Sequence, residues 1–476
     1  MIHGILKGRT LLSISILMVL SGCAGYHPAM ESPPVEIPSE FSISGNMTAP
    51  VLWWQAFKDR QLMELECRAL TANMDVLSAW TRIEQAEAAA RKAGAELYPW
   101  IDVSAGASHQ TSRNGNRYEN TDTLSLGAVA SYELDLWGRI RKGREAAEMN
   151  VLAAEADLDT ARITLSAELA LAYFELQGTA MQLHVIQRQI KENLASLDII
   201  SAMYEYGQTD IIDTLQQKQA VESTKAQEIE KKKSIDLLKN QLAVLLGCSP
   251  GTIHIRQDAG LPSIPPLPDT GVPLDIVNRR PDCRSAFFRL KAANARLAQA
   301  VAEQYPRISL SASADTSASS TGDLFENWLA TLAANILTPV FEGGRLKAGV
   351  EQAQAEARQA LYDYGSTVLT AIREVEDALA REARQREILD NMEKRLELSR
   401  RSMEQITEQY KAGTVEFLRF LATELSTDTL ETKVITEKLK LVEARIALYR
   451  AMAGPITVPS PASQDQGIRS NQESQE

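Results

Sequence analysis

Residues Ala95–Ala105 read A-E-L-Y-P-W-I-D-V-S-A, and Ala302–Ala312 read A-E-Q-Y-P-R-I-S-L-S-A. Seven of the eleven positions agree, 207 residues apart. In each copy an Ala-rich helical pattern runs into Tyr-Pro, and an alternating apolar–polar pattern follows. Proline lacks the donor a helix needs and restricts the residue before it, so each copy marks a switch from helix to strand. The offset persists further out. Gly138-Arg139 matches Gly344-Arg345, Tyr204-x-x-Gly207 matches Tyr410-x-x-Gly413, and Leu246-Gly247 echoes Ala453-Gly454, all 206 or 207 residues apart. A constant offset over four landmarks identifies a duplicated unit of roughly half the chain.

After the first Tyr-Pro, Ile101, Val103, Ala105 and Ala107 alternate with Asp102, Ser104 and Ser108, which predicts a strand with one apolar face. Thr111–Asp122 is wholly polar and reads as a loop; Leu124, Leu126, Ala128 and Ala130 then alternate up to Tyr132. Two strands of about ten residues joined by a polar loop suit a membrane hairpin. In the second copy, strands are expected after Pro306 and before Pro339, around the polar stretch Thr316–Asn327. Tyr132–Arg139 returns the chain to helix, with Gly138 allowing positive φ at the junction. Tyr132 and Trp137 suit a membrane–water boundary, where amphipathic rings collect.

Long helices are expected elsewhere. One runs from about Gln61 to Leu97, opened by the aromatic stretch Trp53-Trp54-x-x-Phe57, read as packing at the helix start. From Arg139 to about Tyr206, Val151, Ala154, Leu158, Ala161, Leu165, Leu169, Ala172 and Leu176 recur at steps of three and four, a coiled-coil seam rich in alanine. At 1.5 Å per residue that helix is roughly 100 Å long. Gly207 breaks it, and a second helix returns from about Asp210 to Leu246. Lys231-Lys232-Lys233 on it reads as a solvated face. The second half repeats the plan: a helix begins around Asn278–Asp282 and ends near Gln304, Ala357 to Ala378 echo the seam, and Gly413 makes the second turn.

The N-terminus carries Lys7 and Arg9, the apolar run Leu11–Leu20, then Leu20-Ser21-Gly22-Cys23. Ten apolar residues are too few to span a bilayer and suit a signal peptide. The ending resembles the bacterial lipobox, which makes Cys23 an acylated first residue; several acyl chains at about 0.8 kcal/mol per buried CH₂ make a stable anchor. Ala24, where an aspartate would signal retention, implies the outer membrane by resemblance to the sorting rule. No other apolar run is long enough for a spanning helix, so any crossing must be a closed β-barrel.

Net charge is −12 and no basic block exists, which argues against nucleic acid. Aromatics make up only 6%, as expected where small residues let helices pack closely. Cys23, Cys67, Cys248 and Cys283 contain no C-x-x-C pair and hence no metal or redox motif. Cys248 and Cys283 are either packed thiols or a disulfide across a loop. The five histidines are scattered, and no catalytic or phosphate-binding motif is present, so no enzyme, cofactor or metal site is expected.

Tyr132–Arg139, Arg279–Ser311 (R-R-P-D … A-A-N-A-R-L … Y-P-R-I-S-L-S) and Pro339–Gln352 resemble the outer-membrane efflux factors. These are TolC-like channels, here of the lipoprotein (NodT-type) branch serving resistance-nodulation-division pumps. The likeness covers about Trp53 to Gly454. It implies a mixed, mainly α fold with transmembrane β: a homotrimer whose long helices form a periplasmic α-barrel, each protomer giving four strands to a twelve-stranded outer-membrane β-barrel. Independently, four strands of about ten residues are too few to close a barrel, whereas three copies suffice. The implied partners are outer-membrane lipid, a periplasmic adaptor and an inner-membrane pump, with drugs or other toxic solutes as cargo.

The resemblance also places the turns at 204–213 and 410–421 at a periplasmic tip that closes the tunnel and meets the adaptor. Gly207, Gln208, Thr209, Gly413, Thr414 and Val415 are the implied adaptor contacts. Asp210, Asp213 and Glu416 form either an acidic ring, concentrating cations, or ordinary acids at helix starts. Leu418 and Leu421 add an apolar constriction. Relatives often place an aspartate–arginine lock just beyond this turn; Ala422 and Leu425 stand there instead. The expected organisation is a signal peptide (1–22), a lipid-anchored tether (23–52), a first repeat (53–247), a linker (248–273), a second repeat (274–454) and a disordered tail (455–476). The competing readings are a metal-ion or secretion-system duct, and a poreless periplasmic coiled-coil lipoprotein, which leaves the strands unexplained.

Overall fold

The computed structural model describes residues 33–48 and 50–456. The signal peptide, Cys23 and the tail beyond 456 lie outside the described residues. A 3₁₀ turn, Trp53–Phe57, precedes α1 (Arg60–Ala72) and α2 (Met74–Ala95). The hairpin β1 (Trp100–Asn114) and β2 (Arg117–Leu134) follows, then α3 (Arg139–Glu205) and α4 (Ile211–Leu245). The short α5 (Pro273–Arg279) leads to α6 (Pro281–Ala302), β3 (Arg307–Ala318), β4 (Trp328–Leu337), α7 (Arg345–Lys411) and α8 (Phe417–Met452). The duplication is plain in the lengths: α3 and α7 have 67 residues each, and α4 and α8 have 35 and 36. No described helix is long and apolar enough to cross a membrane.

Two compact units are built across the repeats, each drawing on both halves of the chain. One comprises Thr81–Glu155 with Ser285–Ser366; the other holds Val35–Trp80, Ala156–Arg284 and the chain from Thr367 onward.

The first unit carries a four-stranded antiparallel meander in the order β1-β2-β3-β4. Its register sorts the residues by face. Ile101, Val103 and Ala105 pair with Ala130, Ala128 and Leu126; these in turn pair with Ala312, Ala314 and Thr316, and Ile308 and Ala312 with Ile336 and Leu332. The opposite face carries Asp102, Ser104, Ser125, Ser131, Ser309, Ser311, Ser313 and Asp315. The apolar face is bare: Val103 is 72% exposed and Leu332 84%. β1 and β4 each pair on one side only within the chain.

β3 and β4 fall where the sequence places them, but β1 and β2, at 15 and 18 residues, are longer than the sequence pattern predicts. Thr111–Asp122 is not a loop, because β1 and β2 stay paired to Asn114↔Arg117 and only Gly115-Asn116 turns, with Gly115 at φ +62°. A two-residue turn of this kind needs positive φ and matches the twist of its strands. Polar alternation hid the strand, because backbone pairing needs no apolar side chain. At the foot of the sheet Trp137 is a clasp: its Nε1 donates to the Pro306 carbonyl at 2.8 Å, and its ring stacks on Tyr305 at 5.0 Å. Asp135 accepts from the backbone N–H groups of Ile140 and Arg141 and so caps α3.

The second unit departs from the sequence reading in four places. First, the helix expected over 61–97 breaks at Asn73, whose Oδ1 caps Asp75 and Val76 while its Nδ2 donates to the Leu245 carbonyl. Second, α3 is buried on nearly all sides from Arg162 to Thr179, rather than along one seam. Trp53, Phe57, Phe174 and Tyr449 pack edge-on and stacked around it at 5.1–6.3 Å. Third, within the stretch expected to be an extended tether, Phe41 to Met47 is docked on the body of this unit. Phe41 is buried among Ile276, Val375, Leu379 and Leu448, and Met47 bridges Pro268 in parallel. Gly45 permits this approach, since a Cβ there would lie 1.9 Å from the Leu267 carbonyl oxygen. Fourth, Arg280 separates α5 from α6 where one helix start was expected.

The linker is held by Arg445. Its guanidinium donates to the Pro265 and Pro266 carbonyls at 2.6 and 3.0 Å and grips Glu382 with two bonds at 2.8 and 2.5 Å. Cys67, Cys248 and Cys283 are free thiols, so the disulfide alternative falls.

Candidate functional site

The two helix–helix turns have one geometry. Gly207, at φ +70°, ends α3: its N–H donates to the Tyr204 carbonyl and that of Gln208 to Met203, at 2.9 and 2.8 Å. Gly413, at φ +69°, ends α7 with the matching pair, Gly413 to Tyr410 and Thr414 to Gln409, both at 3.0 Å. This is the Schellman closure, in which a left-handed residue satisfies the last carbonyls of a helix. Nothing lies within 4 Å of where a Cβ would sit on either glycine, so conformation rather than space selects them.

The acids leaving the turns differ. Asp210 is the N-cap of α4, its carboxylate accepting from the Ile212 N–H at 3.4 Å, and Asp213 accepts a hydrogen bond from the Thr209 hydroxyl. Both sit at a helix N-terminus that favours negative charge. Glu416 stands at the N-cap of α8 without a side-chain capping bond and is exposed. Leu418 is 59% exposed, whereas Leu421 is packed inside the protomer. Gln208 and Thr414 are exposed, and Val415 lies against the buried cluster behind the turns.

That cluster joins the turns: Ile200, Ala220, Ile406, Phe417, Phe420 and Leu421 are buried together. Tyr410 stacks on Phe420 at 5.1 Å and donates its hydroxyl to the Met203 sulfur at 3.8 Å. The sequence held the signal, Y-x-x-G-x-x-x-F-x-x-F, but its aromatics drew no assignment. Around the turns Tyr206, Ile212, Leu215 and Leu418 are all more than half exposed, the kind of apolar surface that marks a docking face.

Beyond the cluster the bundle turns polar. Gln217 donates to the Asn193 carbonyl oxygen and side chain at 3.1 Å, and Ser399 meets Thr427 at 2.8 Å. Glu431 takes Arg400 at 2.8 Å and also pairs with Arg188. A cavity of about 650 Å³ opens here, lined by Glu192, Phe420, Glu424 and Asp428 among others. Burial, then neighbouring carboxylates, pushes both Glu424 and Asp428 up to about 7. Neither residue is a candidate from sequence, because their burial and part of their charged surroundings, Glu192 above all, come from α3, more than 200 residues away. Among the described residues no three His, Cys, Asp or Glu side chains are grouped as metal ligands.

An exposed apolar sheet face, a serine-lined opposite face and paired 67-residue helices define a channel-forming outer-membrane protein. The model of the outer membrane efflux protein family matches residues 67–248 and 272–454, one match per repeat. The chain belongs to that family and is an outer-membrane channel of the efflux type. A probable outer membrane lipoprotein of Salmonella typhimurium is 27% identical, over 93% of this chain and 98% of its own. The pyoverdine export outer membrane protein of Pseudomonas aeruginosa is 28% identical, over 94% and 97%. The open-state outer membrane channel of Neisseria gonorrhoeae superposes with a TM-score of 0.81 at 28% identity, covering 90% of this chain and 98% of that one.

Proposed function

We propose that three copies close a twelve-stranded barrel and act as the passive exit duct of a tripartite pump. An inner-membrane resistance-nodulation-division transporter and a periplasmic adaptor deliver drugs or other toxic solutes, and the duct conducts them outward without catalysis or cofactor. The observation that carries this reading is the sheet: its apolar face is exposed and its two edges are open. An open edge is untenable in lipid, and three four-stranded shares remove every edge. A lipid on Cys23 completes the attachment.

The adaptor meets Gly207, Gln208, Thr209, Gly413, Thr414 and Val415. In favour are the matched turn geometry and the exposed apolar side chains around it. Asp210, Asp213, Glu416 and Leu418 set the resting constriction, with Leu421 backing them from the core. The test is single-channel recording of the purified protein in planar bilayers, alongside susceptibility of a deletion strain. Discrete conductance and sensitisation to several toxic compounds are expected. A poreless protein, or unchanged susceptibility with the partner pump expressed, overturns the reading.

A further inference from the structure

Within the polar layer Glu424 stands out. It is 8% exposed, and its Oε2 has no hydrogen-bond partner. Asp428, one turn further along α8, is half-buried beside it. α3 presents Glu192, Arg188, Asn193 and Ser196; α7 presents Arg400, Glu404 and Glu408; α8 adds Glu431. From α4 come Gln217 and Thr224, both neutral and both bonded to Asn193. The cations lining the cavity are Arg188 and Arg400, and both turn to Glu431, Arg188 also lying 3.7 Å from Glu192. Two carboxyls, four residues apart on one helix face, therefore share one corner of the cavity with the more exposed carboxylate of Glu192. Like charges at that spacing repel, and burial penalises the ionised form further.

We propose that Glu424 and Asp428 form a proton-operated latch: neutral, they keep α8 packed against α3 and α7; ionised, they loosen it, so the duct opens more readily as pH rises. The regulation rests on the exit-duct reading. For Glu424, burial acts first, then Asp428 and Glu192, with a hydrogen bond from Ser196 opposing; for Asp428, burial first, then Glu431 and Glu192, with Arg188 and a hydrogen bond from Asn193 opposing. The packed state thus binds more protons than a loosened one. Its extra stability is complete below the ordinary values of 4.5 and 3.8 and is lost as pH climbs to about 7.

The latch is tested on the full-length reconstituted channel at pH 6 and pH 8. Wild-type open probability is expected to rise by at least about tenfold between them, the factor that one linked proton gives when the pH crosses its midpoint from one unit below to one unit above. The isosteric double variant E424Q/D428N stays low at both. Glu192→Gln leaves the pair intact and moves the midpoint to lower pH. A double variant that keeps the wild-type ratio overturns the latch. Amide exchange across 417–431, corrected for its intrinsic pH dependence, reads packing without conduction. Channels that conduct with no pH ratio sink the latch alone. Absent conductance with pH-dependent exchange sinks the duct and leaves the latch.

Discussion

Arg445 has no exposed surface, yet its guanidinium joins three segments far apart in sequence. Glu382 comes from α7, the two carbonyls from the linker, and Arg445 itself from α8. Without Arg445 the buried Glu382 keeps only the half-exposed Arg386, 2.8 Å away, so Arg445→Ala should lower stability by about 3 kcal/mol, the low end for breaking a buried pair from one side. Urea unfolding checks this, and adding Glu382→Gln should restore part of the loss. Single residues were legible where local backbone dictates them: Gly207 and Gly413 could be placed because a left-handed position selects glycine. Arg445, Glu382 and Phe41 could not, because their partners lie tens or hundreds of residues away and nothing local marks them.

Among the elements, the aromatic cluster ties both turns to the helices behind them. Phe420 reaches Tyr410, Phe417 and the buried Ile200 region together. Phe420→Ala should cost about 3–5 kcal/mol and leave a void at the turns. Faster amide exchange over 411–421, with the sheet unaffected, is the expected signature. Helix lengths followed from apolar steps of three and four, and their ends from glycine and proline. The β1–β2 hairpin was harder. Gly115-Asn116 is a recognisable two-residue turn signal, but the polar residues flanking it read as loop. The break at Asn73 escaped as well, since its side chain caps one helix and ties it to a carbonyl 172 residues on.

For the whole molecule the decisive property is the two-faced sheet. Leu126 sits on the apolar face and Ser311 on the other. Leu126→Arg should destabilise membrane insertion by about 2–4 kcal/mol if it lies near the midplane, whereas Ser311→Arg changes conductance more than assembly. Trimer yield from detergent-extracted membranes, set against unit conductance, separates the two outcomes. Period-two alternation made the sheet's faces readable in advance. The compact units were not, because each interleaves segments of both repeats, and contact between distant segments leaves no periodic trace.

The docking of Phe41 also sets a leash. Phe41 lies eighteen residues on from Cys23. Fully stretched, they reach roughly 60 Å. If Cys23 carries the acyl chains proposed for it, the Phe41 slot can hang no further from the membrane than that span. On the lipid-anchored reading the N-terminal strap becomes a depth gauge as much as a mooring, and shortening it would force a choice between seating the ring and keeping the lipid in the bilayer.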